Sequence, residues 1–270
     1  MNSKEQQMVG MLKDLIDHYG VIGVKAEFEA EGTRFEECVR LKEILTRAGL
    51  GLCLKIGGCE AIRDMYDARI IGAEKIVAPM VESDFALKKF VESFKKVFSK
   101  EERESISFAI NLETKNTIQH YDEMLASEDF LELDCVVVGR NDLSYSLGLT
   151  REGVNESQTM RAAADFLRGA KTRKPEIVCG MGGGVSAASV QQFRDFVPNE
   201  LDYFETRKVM FKFRDNRADF KVGILKALNF EIHWLKNKQN FYGAIAAEDV
   251  NRINTLESRY SQSMHELGIR

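Results

Sequence analysis

Short β-branched runs alternate with helix-patterned segments along most of this 270-residue chain, and that alternation leaves few architectures open. The runs centre on Val24, Leu52, Ile76, Phe108, Val136, Ile177 and Phe204. Segments with apolar residues three and four apart lie between them, as at Val39, Leu41, Ile44 and Leu45. A repeated strand–helix unit makes successive strands parallel, with each helix as the crossover. Seven strands suit an open doubly wound sheet poorly and fall one short of a (β/α)8 barrel. The first 20 residues read as a helix and supply no eighth strand, and residues 203–211 read as one final strand. The expected fold is therefore α/β, a (β/α)8 TIM-like barrel with an atypical first strand and extra C-terminal helices.

Only three prolines occur (Pro79, Pro175, Pro198), and no Ser/Pro/Gly-rich linker divides the chain. One domain over residues 1–270 is expected, with an N-terminal helix over 1–20 and a C-terminal helical region over 216–270. The net charge of −4 and the absence of a Lys/Arg block argue against nucleic-acid and anionic-membrane partners. No apolar stretch reaches bilayer length, and the charged, amphipathic residues 1–18 lack the apolar centre of a signal peptide, so a cytoplasmic protein is expected. Five cysteines without metal-ligand spacing read as reduced, buried thiols.

Two strand ends carry acids. One run closes in Asn111-Leu112-Glu113-Thr114, the other in Gly139-Arg140-Asn141-Asp142-Leu143-Ser144. In a parallel barrel such ends converge at the C-terminal mouth, where active sites are built. Two converging carboxylates make an oxygen-rich site suited to a hard cation such as Mg²⁺ or Mn²⁺. Glu113 and Asp142 are the candidate metal ligands.

Taken in order, residues 27–32, 52–57, 71–84, 111–117 and 136–148 resemble the HpcH/HpaI aldolase and citrate lyase β-subunit-like family of phosphoenolpyruvate/pyruvate-type barrels. The segment Gly139-Arg140-Asn141-Asp142-Leu143-Ser144, followed by Leu147-Gly148, is similar to the family's metal-binding strand end. The resemblance implies a divalent ion on Glu113 and Asp142, chelated by a 2-oxo acid whose enolate it stabilises. It also implies a homo-oligomer packed through C-terminal helices.

Two departures from the family pattern matter. Glu31 stands in Glu29-Ala30-Glu31-Gly32, where the family has a histidine, and Lys55 stands where it has an arginine. None of His18, His120, His233 and His265 falls at a strand end. Lys55 is the candidate contact for the substrate carboxylate, and Glu31 or Glu29 the proton shuttle. Arg140 and Asn141, with their backbone N–H groups, and Arg207 complete the expected substrate contacts. Glu27, Glu29 and Glu31 would share one strand face, Glu205 and Arg207 could pair, and the glycines of 180–184 could cradle an anion.

The expected function is a divalent-metal-dependent carbon–carbon lyase or aldolase acting on pyruvate or a related 2-oxo acid. The alternatives are citrate-lyase-like cleavage of an acyl-CoA thioester, for which no basic patch suits the CoA phosphates, and a non-catalytic barrel serving as a binding or scaffold subunit.

Overall fold

A computed structural model describes residues 1–214 and 219–268. The chain opens with helix α1 (Ser3–Tyr19) and strand β1 (Val21–Glu27). It continues through α2 (Phe35–Ala48), β2 (Gly51–Lys55), α3 (Ile62–Ile71), β3 (Lys75–Ala78), α4 (Asp84–Val97) and the single turn α5 (Lys100–Arg103). Next come β4 (Ser107–Leu112), α6 (Lys115–Ala126), β5 (Cys135–Gly139), α7 (Arg140–Ser146) and α8 (Ser157–Arg173). The last elements are β6 (Val178–Gly182), α9 (Ala187–Phe196), β7 (Tyr203–Glu205), β8 (Val209–Lys212) and α10 (Phe220–Glu266).

The eight strands close into a barrel in sequence order. The pairings from β1 through β7 are parallel. Strand β8 runs antiparallel to both β7 and β1. Strand β1 pairs with β2 in parallel register and carries an irregularity between Val21 and Gly23 where it meets β8, so the first strand and the last both depart from the regular pattern. The run read as one strand over 203–211 is a hairpin. Its turn, Thr206–Lys208, reverses the chain at the C-terminal mouth, where Thr206 N–H donates to Val209 O and Val209 N–H to the Thr206 hydroxyl. A tight turn delivers the closing strand antiparallel, whereas a parallel strand would need a helical crossover.

Strand parity divides the side chains. On β4, Phe108, Ile110 and Leu112 face outward into the main core, where the Phe108 ring stacks on Phe94 at 4.1 Å. The alternate residues of the strands point into the barrel, where Cys53, Val77, Ala109, Cys135, Val137, Tyr203 and Met210 form a separate inner cluster. Toward the mouth the same inward parity brings up Lys25, Glu27, Lys55, Asn111 and Glu205. All five cysteines are free, and all but Cys59 are buried.

The expected C-terminal helices are one helix, α10. Residues 215–218 and 269–270 of the region assigned to 216–270 lie outside the described residues. Phe220, Ile224, Ala227, Phe230 and Trp234 are the buried face of α10, which packs on α1 and, through Phe220, on Phe204 and Phe211 of the barrel. Among the described residues no helix is long and apolar enough to cross a membrane.

Candidate active site at the barrel mouth

A cavity of about 600 Å³ opens at the C-terminal end of the strands. Among the described residues its ionisable lining is six carboxylates (Glu27, Glu29, Glu113, Asp142, Glu205, Glu231) against three cations (Lys25, Lys55, Arg207). With all of them ionised, the walls carry a surplus of three negative charges.

Glu113 follows β4 directly and is 1% exposed. Its Oε1 accepts from Met80 N–H and its Oε2 from Asn111 Nδ2, both at 2.9 Å. The Oε2 also presses on the end of β5, since a Cβ built on Gly139 would lie 2.2 Å from it. Glycine is therefore required at 139 for Glu113 to keep its place. Asp142 sits in the first turn of α7 and opens into the cavity.

Lys55, 6% exposed at the end of β2, reaches 3.0 Å from Glu29 Oε2 and 3.8 Å from Glu113 Oε1. Both flanking carboxylates hold its ammonium in the charged form against the opposing effect of burial, and its pKa is raised. Lys25 lies between Glu205 Oε1 at 2.5 Å and Glu27 Oε1 at 3.0 Å.

The carboxyl groups of Glu113 and Asp142 are both pushed above the usual carboxylate range, first by burial. The charge of Asp142 adds to the shift at Glu113, and Glu29 and Glu27 add to it at Asp142, while Lys55 opposes it at both. A raised folded pKa means the native state binds more protons than the unfolded chain. The associated stability is present at low pH, is lost as pH rises through the raised values, and stays lost above them. Glu113→Gln removes the ionisation. In EDTA, the variant is expected to lose less stability than the parent between about pH 4 and the upper end of the transition, given ordinary carboxylates near 4. Urea unfolding at several pH values measures this, and parallel curves for the two proteins would refute it.

The expected site residues divide. Glu29, Lys55, Glu113, Asn141, Asp142 and Arg207 line the cavity. Arg140 does not. It is fully buried, and its guanidinium donates to the carbonyls of Gly182 (3.1 Å), Gly183 (2.6 Å) and Val154 (3.2 Å) and to Asn155 Oδ1 (2.8 Å). It also lies 4.6 Å over the Phe193 ring. Among the described residues no carboxylate joins it, and burial pulls its pKa down to about 9. Arg140 is a brace holding the end of β6 against α7, which corrects the expectation that it binds substrate. The backbone N–H groups at 140–141 lie against Gly183, where a side chain would not fit: a Cβ there would lie 2.5 Å from Asn141 N.

Glu31 lies outside the cavity lining, paired with Arg207 Nε at 3.0 Å and with the buried Lys208. Of the face expected to be shared by Glu27, Glu29 and Glu31, the first two line the cavity and Glu31 does not, because β1 ends at Glu27, after which the chain bends. Glu205 and Arg207 do not pair, because the 206–208 turn sends Arg207 to Glu31 and leaves Glu205 inside with Lys25. Of the glycines of 180–184, Gly180 is packed by the Tyr203 ring and Gly182 is faced by Glu205, whose Oε1 would lie 3.0 Å from an added Cβ, while Gly183 and Gly184 line the cavity. Sequence reasoning missed Lys25, Glu205 and Asn111 as site residues; each sits at an inward strand position, and that parity was the available signal.

The donor set suits a divalent cation. Two carboxylates from successive strand–helix junctions face a cavity with surplus negative charge, and Mg²⁺ keeps several water or substrate oxygens beside one or two protein carboxylates. Among the described residues no three His, Cys, Asp or Glu side chains are arranged to hold an ion by themselves. A bound ion would complete its shell from water or substrate.

Residues 57–180 match the family model described as HpcH/HpaI aldolase/citrate lyase. The fold is similar to that of an HpcH/HpaI aldolase/citrate lyase family protein from Burkholderia cenocepacia J2315, at TM-score 0.58 and 15% identity over 87% of this chain and 100% of that one. It is also similar to the citrate synthase SbnG, at TM-score 0.58 and 15% identity over 86% of this chain and 90% of that one. At such identities the likeness is one of fold. None of the curated proteins compared matches the sequence.

Proposed function

From a barrel whose residues 57–180 match the HpcH/HpaI aldolase/citrate lyase family, we propose that the chain is a divalent-metal-dependent carbon–carbon lyase, an aldolase acting on pyruvate or a related 2-oxo acid. The observation that carries this reading is the placement of Glu113 and Asp142 at neighbouring strand ends of a cavity whose carboxylates outnumber its cations six to three.

Glu113 and Asp142 would hold Mg²⁺ or Mn²⁺, which when bound supplies Lewis-acid withdrawal of electrons from the 2-oxo group. The rest falls to the chain. Lys55, held between Glu29 and Glu113, offers the cation for the substrate carboxylate. Glu29 is the proton carrier of this reading, because it lines the cavity while Glu31 is tied to Arg207 and Lys208. In the cleavage direction Glu29 takes the proton of the C4 hydroxyl of a 4-hydroxy-2-oxo acid. The C3–C4 bond breaks, its electron pair stays on C3 of the pyruvate enolate, and the aldehyde leaves. Glu29 then returns the proton to C3, which becomes the methyl group. Engagement of Lys55 by substrate frees the Glu29 oxygen that it otherwise occupies.

Proton NMR of pyruvate in D₂O tests the enolate step without knowing the aldehyde. The methyl signal is expected to fall with time in the presence of protein and Mg²⁺, and to persist when EDTA is added. Persistence under both conditions would overturn the reading and favour a barrel that binds without catalysis.

A further inference from the structure

The hydrogen-bonding capacity of the cavity is lopsided. Opposite Glu113 and Asp142, the inner wall is built by β1 and β7, with α10 at its rim. Glu27 and Glu205, 7% and 5% exposed, share the single ammonium of Lys25. Glu231 from α10 adds a third carboxylate to the lining. Among the described residues the remaining cation on this side, Arg207, is committed to Glu31.

Asn111 shows the same bias independently. Its Nδ2 donates to Glu113, while its Oδ1 is buried without a hydrogen-bond partner, and the residue, 7% exposed, lines the cavity. A buried carbonyl oxygen without a donor is costly. With Lys55 assigned to the 2-oxo acid, this wall presents carboxylate oxygens, and Asn111 on β4, beside Glu113 and across the cavity from the wall, adds an unpartnered amide oxygen. Gly182, where a bound anion would otherwise approach backbone, is faced by the Glu205 carboxylate.

We propose that the β1/β7 wall is the subsite for the second substrate, and that it selects an aldehyde rich in hydrogen-bond donors, bearing hydroxyl or ammonium groups, and rejects one bearing a carboxylate or phosphate. This rests on the lyase reading for the other half of the cavity. Hydroxyl and ammonium groups satisfy Asn111 Oδ1 and the outer oxygens of Glu27, Glu205 and Glu231. A second anion meets surplus negative charge, and like-charge juxtaposition excludes it.

The full chain, with pyruvate and Mg²⁺, is assayed for condensation with glyceraldehyde, aminoacetaldehyde, glyoxylate and glyceraldehyde 3-phosphate. We expect kcat/KM for the first two to exceed that for the anionic pair by about tenfold or more, the factor that 1.4 kcal/mol of discrimination gives. The ratio of aminoacetaldehyde to glyceraldehyde tells whether charge or hydroxyl donation dominates. Equal or higher rates with the anionic aldehydes overturn the proposal. Glu205→Gln frees Lys25 from one of its two carboxylates and should narrow the preference. If that variant does not fold, Glu231→Gln at the rim should reduce the ammonium preference, and an unchanged ratio in a folded variant counts against the subsite.

Saturation-transfer NMR with glycerol, ethanolamine and glycerol 3-phosphate reads the same selectivity without turnover. Methyl exchange of pyruvate with anionic ligands preferred sinks the subsite alone. No exchange, with polyol or amine still preferred, sinks the lyase reading alone.

Discussion

Glu113→Gln is expected to abolish metal-dependent methyl exchange of pyruvate while the barrel remains folded. The substitution keeps the shape of the side chain and removes its charge. The Asn111 Nδ2 and Met80 N–H groups can still donate to the amide oxygen, one at a time. A cation held by Glu113 and Asp142 would lose one of its two carboxylate ligands and half of the charge those ligands supply. Lewis-acid stabilisation amounts to several kcal/mol, so the rate should fall by about a thousandfold, each 1.36 kcal/mol being tenfold. Thermal unfolding in EDTA should show the variant at least as stable as the parent, since the burial that opposes ionisation of Glu113 no longer acts on a carboxyl group there. Both proteins are compared by exchange rate and by Tm with and without Mg²⁺. Retained exchange would remove Glu113 from the site, and a lost fold would mean that its charge is structural.

Arg140→Leu should act in the opposite manner, on stability first. It leaves the carbonyls of Gly182, Gly183 and Val154 and Asn155 Oδ1 without the donor that now serves them. Each abandoned buried acceptor costs about 1–3 kcal/mol, with partial relief from water at the loop. A loss of about 4 kcal/mol by urea denaturation is expected, in the range that marks broken buried networks. A substrate-binding arginine would behave otherwise, raising KM at unchanged stability. Arg140→Lys should recover little, because a single ammonium cannot reproduce a fork that spans four acceptors on two loops.

Much of the fold was legible because it is periodic. The β1 to β7 runs are mostly apolar segments of strand length, and the helices between them carry apolar residues three and four apart, which local sequence displays directly. The acids at 113 and 142 were legible for a related reason. A carboxylate that terminates an apolar strand is visible in one dimension, and parallel strands place all such termini on one face. The hairpin was hidden because residues 203–211 contain no glycine or proline at the turn; Thr206, Arg207 and Lys208 look like polar positions of one continuous strand.

Side-chain destinations were less legible. Arg140 stands beside Asp142 in sequence, yet it turns into the protein interior while Asp142 opens into the cavity. Glu29 and Glu31 have the same strand parity on paper. The chain leaves its extended path after Glu27, so one acid meets Lys55 and the other meets a turn 176 residues away in sequence.

By itself the sequence determined the parallel barrel, the two strand-end acids and the absence of a histidine at the mouth, because these follow from periodicity and from which residue types close each strand. Only the tertiary structure decided that the eighth strand closes the ring antiparallel, that Lys25 is held between Glu27 and Glu205, and that Arg140 braces the β6 loop. Those outcomes depend on which groups meet across the barrel. Burial then assigns each charge the partner it needs, and chain order does not encode that choice.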